Sequence, residues 1–317
     1  MKRFDALESW RGIAACLVAL YHMQMFVNTD LPVFRNSYLF VDFFFVLSGF
    51  VIAANYEQRL AEGWSLWRFA LLRFGRLYPL HLALLGAWIV VHLAHVASGH
   101  ATVSAFQPPR YSADTIVANL LLVQGMHLFN FASWNQPSWT ISAEFYTYLI
   151  FALAVVAAKR RIVLLLLPAI LAAAAALWLL VDNIDTNIEW GLIRCICGFA
   201  SGVLVWHVYR AAWLRSGTAL ELAALALVVA FVWRAGRSEL SFAAPAVFAL
   251  AVVVFAAEAG PVSRLLRAPA LLWVGARSYS IYMVHFLVGS LLLDCAKLLK
   301  LAGIGLYSGT RIGRQPW

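Results

Sequence analysis

Charge is what this sequence has least of. Only 12% of its residues are Asp, Glu, Lys or Arg, about half the share found in a soluble globular domain. With 63% hydrophobic residues and a mean hydropathy of +0.80, that scarcity leaves no room for a soluble enzyme. Cysteine is scarce too, and Cys16, Cys195, Cys197 and Cys295 all fall in apolar runs. They read as small buried residues, so neither a disulfide framework nor a zinc site is expected. No low-complexity linker, soluble appendage or inverted repeat is visible. Lys2 and Arg3 before an apolar run imitate a signal peptide, but Glu8 and Arg11 break the run and no small-residue cleavage site follows. The segment reads as a retained first helix.

What is there is apolar helix. The expectation is an all-α, polytopic transmembrane bundle forming one membrane-embedded domain over residues 1–317. Spans are predicted near 8–27, 36–56, 76–98, 139–158, 162–181, 190–209, 218–234, 241–257 and 279–299. The +9 net charge sits in loops, so nucleic acid is not an expected partner; the bilayer is. With the N-terminus inside, the inner loops carry Lys2, Arg3, Arg59, Arg68, Arg73, Arg76, Lys159, Arg160, Arg161, Arg210, Arg215, Arg264, Arg267 and Arg277. Up to the ninth span the outer side has only Arg35, Arg110, Arg234 and Arg237. That asymmetry predicts a cytoplasmic N-terminus in a plasma (bacterial inner) membrane. Segment 99–138 reads as an outer loop lying on or dipping into the bundle, because its apolar piece, 116–123, is too short to cross. The tail 300–317 is atypical. Nine spans place Lys297, Lys300, Arg311 and Arg314 outside, against the charge rule, and suggest a missing return helix.

Few polar residues interrupt the spans, and these are candidates for function. Arg11 and His22 lie eleven residues apart in the first span, about three turns, so they share a face roughly 16 Å apart along the axis. By sequence depth, His22, Asp42, Glu144 and Arg194 fall within one or two turns of a common outer level on four helices. His22 beside Asp42 or Glu144 would make a base and its orienting carboxylate. On the inner side Arg73 and Arg76 are three apart, following Arg68; in a helix they share a face and can grip phosphate. The plainer reading of that cluster is topology and contact with anionic lipid. Phosphates docked inside, with a thin arm running along the first helix toward His22, match the shape of coenzyme A.

The motifs resemble those of the acyltransferase-three family of integral membrane O-acyltransferases. Arg11 and His22 within SWRGIAACLVALYH resemble its first-helix signature, and FVDFFFVLSGFVI (Phe40 to Ile52) its second-helix motif. RFGRLYPLH (Arg73 to His81) resembles its R-x-x-R element and SWTISAEFYTYL (Ser138 to Leu149) its fourth motif. RCICGFASG (Arg194 to Gly202) and SYSIYMVH (Ser278 to His285) resemble later blocks. The resemblance implies a ten-span bundle, here lacking its last helix. It also implies acyl transfer, usually acetyl, from cytoplasmic acyl-CoA to a hydroxyl of a cell-surface or lipid-linked glycan. By matching position His22 would be the catalytic base. Asp42 and Glu144 would orient it or serve the acceptor. Arg11, Arg73 and Arg76 would hold the CoA arm or phosphates, and Arg194, Tyr282 and His285 group with the donor site. For Tyr282 and His285 a helix–helix hydrogen bond is the alternative. Ser48 and Tyr146 carry no assigned role.

The alternative function is a proton-coupled transporter or flippase of a glycan or lipid precursor, with the His–carboxylate group relaying protons. Gly49 and Gly198 interrupt spans without the paired broken-helix pattern such proteins use. No metal is expected: His92 and His95 are at helical spacing but read as outer-interface residues. Acceptor choice is assigned to segment 99–138, where Trp134 and Trp139 would stack on sugar faces.

Overall fold

The computed structural model describes residues 3–23, 31–98, 109–212 and 216–301. Lys2, Arg215, loop residues 99–108 and the tail from 302 onward lie outside the described residues, and with them most of the expectation for the tail. Among the described residues every regular element is helical. The main helices are α1 (Asp5–His22), α2 (Phe40–Ile52), α3 (Leu66–Ala97), α4 (Trp139–Ala158), α5 (Ile162–Leu180), α6 (Gly191–Arg210), α7 (Thr218–Ala235), α8 (Ala244–Ala256) and α9 (Ser278–Leu301). Eight of the resulting spans are long and apolar enough to cross a membrane. In α1, Asp5, Glu8 and Arg11 dilute the apolar run, yet Leu7, Trp10, Ala14 and Val18 pack it into the core.

Helices α2 and α6 form the centre. Both are apolar around most of their circumference, which is the pattern of an enclosed helix. They cross where glycine removes the side chain: a Cβ on Gly49 would overlap the carbonyl of Phe199, and one on Gly202 that of Val46. Gly198 and Gly202 are one turn apart on the same stripe, the small-residue contact expected where lipid supplies no hydrophobic drive. Below α2 the chain continues through a π-helical turn, Ala53–Glu57, into Gln58–Ala61. At the periphery α5 turns Leu164, Leu167, Leu171 and Leu179 outward, a face suited to acyl chains.

Three features matter for the site, and the first of them departs from expectation. First, α3 starts at Leu66 rather than near 76, with Ser65 as its N-cap accepting from Arg68 N. The arginines lower hydropathy without breaking the helix, because arginine is a good helix former. Second, two short helices, Pro261–Leu266 and Pro269–Ala276, climb beside α1 before α9 begins. Gly275 packs on the backbone of Glu8 and Gly12, so Ser278, at the start of α9, is already level with Arg11. Third, the outer segment folds onto the bundle as helix Ala113–Leu120. His81 Nε2 lies 2.9 Å from the Asn119 carbonyl, and Trp134 Nε1 donates to Thr115 Oγ1 at 2.9 Å. Trp134 and Trp139 are 3% and 6% exposed. Both indoles are packing residues, not the sugar platform expected of them.

Candidate active site

A cavity of about 520 Å³ opens between α1, α2, α3, α4 and α9. Arg3, Glu8, Arg11, Arg73 and Arg76 line it, and at its other end stand Phe44, Thr140 and Tyr282. The α3 start explains the arginines: Arg73 and Arg76 project from one face of a continuous helix instead of a loop. Arg73 donates to the Tyr56 hydroxyl at 2.8 Å and its guanidinium lies 4.7 Å from the centre of that ring. Its Nε is buried without a hydrogen-bond partner, a donor with unused capacity in a cationic cavity. Arg11 donates to Ser278 Oγ at 2.7 Å and to the Gly275 carbonyl at 3.2 Å, with Glu8 3.7 Å away. The α1 arginine is therefore held toward α9 and the cavity rather than snorkelling.

His22 and His285 face each other across α1 and α9. Their ring centres are 4.9 Å apart and His285 Nε2 lies 3.2 Å from His22 Nδ1. Neighbouring carbonyls assign the protons. His285 Nδ1 is 2.6 Å from the Tyr282 carbonyl and His22 Nδ1 is 3.0 Å from that of Val18. A carbonyl only accepts, so each Nδ1 carries the hydrogen. His285 Nε2 is then a bare acceptor sharing the His22 Nδ1–H. His22 Nε2 is left with its lone pair, the state a general base needs. Tyr282 joins this pair to the cavity, with its ring 5.9 Å from His285 and 5.5 Å from Phe44.

The four ionisable residues expected to share one site are divided by the structure into three groups. Asp42 accepts both Arg194 Nε at 3.0 Å and NH2 at 2.7 Å, and Arg194 NH1 donates to the Thr186 carbonyl. This pair is sealed between α2 and α6, so Arg194 does not line the cavity as a donor ligand and Asp42 does not orient His22. Glu144 accepts Ser48 Oγ and Tyr148 OH on one oxygen, each at 2.5 Å, and lines the cavity wall. It too is not hydrogen-bonded to His22. Similar depth in the membrane did not bring these side chains together, because the helical phase of each residue sets its neighbour. For His285 the helix–helix hydrogen bond is the reading that holds: it partners His22 across α9 and α1 and does not line the cavity. Tyr282 does line the cavity.

Tyr148, Ser278 and Tyr56 are site residues that sequence reasoning missed. Tyr148 was accessible to it, since it stands four residues after Glu144 on the same helical face. Tyr146, by contrast, ties α4 to the outer segment through the Leu121 carbonyl. His92 stacks on Tyr111 and His95 Nε2 lies 3.1 Å from Asp294. Among the described residues no three His, Cys, Asp or Glu side chains converge as a metal site would require.

Comparison with known proteins follows the same lines. Over 93 residues the chain is 44% identical to "Protein 2 in picA locus" of Rhizobium radiobacter, covering 28% of this chain and 47% of that protein. Over 163 residues it is 32% identical to "Acyltransferase MdmB" of Streptomyces mycarofaciens, covering 48% of this chain and 39% of that protein. The alignments thus span less than half the length of either curated relative. No solved structure matches. The family described as "Acyltransferase domain" matches residues 4–310. From α1 to beyond α9, the chain belongs to this acyltransferase-three family.

Proposed function

We propose that the protein is an acyl-CoA-dependent O-acyltransferase. In this reading it moves an acyl group, acetyl in the first instance, from the cytoplasmic side to a hydroxyl of a cell-surface or lipid-linked glycan. The observation that carries it is the cavity that begins among Arg11, Arg73 and Arg76 and ends at Tyr282, one turn before His285, which in turn contacts His22. Cations at one end suit the phosphates of a nucleotide. An interior lined by Val41, Phe44, Leu47 and Ile141 suits an extended arm, and a histidine with a free Nε2 suits a hydroxyl that must lose its proton. Family membership supports transfer over transport.

The chemistry follows from these residues. His22 Nε2 takes the proton of the acceptor hydroxyl as its oxygen bonds to the thioester carbonyl carbon. The carbon–sulfur bond then breaks, and the leaving thiolate recovers the proton from the imidazolium to depart as CoA. His285 holds the His22 ring in the productive tautomer throughout. A variant in which His22 Nε2 first takes the acyl group differs by one covalent intermediate.

The test is CoA release from acetyl-CoA by purified protein supplied with a mixed glycan-lipid fraction. Release by the wild type that disappears in His22→Ala, with acetyl-CoA binding intact, is the expected outcome. Equal release from both removes His22 as the base. Proton-coupled uptake of a glycan precursor without thioester consumption would establish transport instead.

A further inference from the structure

With Trp134 and Trp139 buried, the acceptor needs another platform, and one polar group stands beside His22 without a role. Tyr21 packs edge-on against the His22 ring, centres 4.8 Å apart. Its hydroxyl accepts from Arg237 NH2 at 3.1 Å, and Arg237 Nε donates to Asp185 Oδ2 at 2.9 Å. Three separate segments meet here: the end of α1, the α5–α6 loop and the α7–α8 turn. Each loop is fixed from behind. Ile184 N donates to Ser241 Oγ at 3.0 Å, and the Tyr38 hydroxyl donates to the Gly236 carbonyl at 2.6 Å. The group is thus preorganised, yet the Arg237 side chain remains 64% exposed.

We propose that Tyr21, Asp185 and Arg237 form the acceptor site and bind a neutral pyranoside through adjacent hydroxyls, presenting a third hydroxyl to His22. This rests on the acyl-transfer reading and adds the chemical class of its acceptor. Arg237 uses two of its five N–H donors in the contacts above. Asp185 is engaged there through Oδ2 alone, so Oδ1 can accept a hydroxyl. A donor fork beside a carboxylate fits vicinal hydroxyls, which donate and accept at once. The charges argue against an anion: Asp185 offsets Arg237, and Asp182 and Glu189 are exposed on the same loop.

The experiment is saturation-transfer NMR on the full chain in nanodiscs, without acyl-CoA, using methyl glucoside, galactoside and mannoside. Wild-type protein should bind at least one of them. Asp185→Asn and Arg237→Gln should weaken binding about tenfold or more, as loss of a charge-assisted hydrogen bond does, while Arg237→Lys loses less. The Arg237 side of the pair is 64% exposed and such a charge contributes little to folding, so unchanged thermal unfolding should accompany the loss in Arg237→Gln. Arg234→Gln, at the same outer end but outside the group, should bind normally. Failure of all three glycosides, unchanged binding in both variants, or displacement by inorganic phosphate would overturn the proposal. Glycoside binding lost in the variants, in a protein that never releases CoA, would sustain this site and sink the transfer reaction.

Discussion

Asp42 and Arg194 meet in the bundle interior through two parallel hydrogen bonds, and their side chains are 0% and 1% exposed. Their geometry is that of a structural clamp between α2 and α6. Neither charge faces the cavity, although both are among the most conspicuous residues in the sequence.

Removing one partner should therefore damage the fold before the chemistry. Arg194→Met leaves a buried carboxylate unpaired and should cost about 3–5 kcal/mol. The double variant Asp42→Leu/Arg194→Met should recover much of that. Thermal unfolding of the wild type and these two variants in detergent checks this. A rise in donor KM with unchanged stability would instead return Arg194 to the donor site.

The histidine pair makes a different prediction. His22→Ala should lower kcat by ~10²–10⁴, the usual worth of a general base. His285→Ala should lower kcat by less and leave the donor KM unchanged, because His285 acts through the His22 ring. His285→Asn, with a side-chain oxygen able to accept the His22 Nδ1–H, should recover part of the loss. Separate measurement of kcat and donor KM distinguishes this role from one in lining the donor channel.

The inner arginines should show the reverse split. Arg73→Ala and Arg76→Ala should each raise the acyl-CoA KM by about tenfold, the worth of one charge-assisted hydrogen bond, with kcat little changed. Arg73 carries the sharper test, since its buried Nε lacks a partner among the described residues. Arg73→Lys should recover only part of the affinity, because a lysine lacks the planar fork.

Close packing of α2 on α6 gives a prediction independent of activity. Gly202→Ala would press a methyl group into the carbonyl of Val46, and Gly49→Ala into that of Phe199. Overpacking of this kind costs about 1–3 kcal/mol, more where backbone must move. Gly289→Ala in α9 has nothing within 4 Å of the added carbon and should be neutral. Fluorescence-detected thermal unfolding compares all three.

Sequence alone determined much of this protein. Hydropathy placed α4 at Trp139 to Ala158 and the other spans within a few residues, except α3, because burial in lipid requires long apolar helices. Spacing on one helix was equally legible. Arg11 and His22 on α1, and Arg73 and Arg76 on α3, are set on a common face by the 3.6-residue turn itself. Where the chain had to meet itself, only the tertiary structure decided. Depth along a span is linear in sequence, but azimuth depends on how each helix is rotated against its neighbours. That rotation paired Asp42 with Arg194, gave Glu144 to Ser48, and turned His285 onto His22. The two short helices ahead of α9 raised Ser278 to the level of Arg11, and no periodicity announces such an offset. Residues that share a helix face could be read in advance; partners contributed by different helices had to be seen.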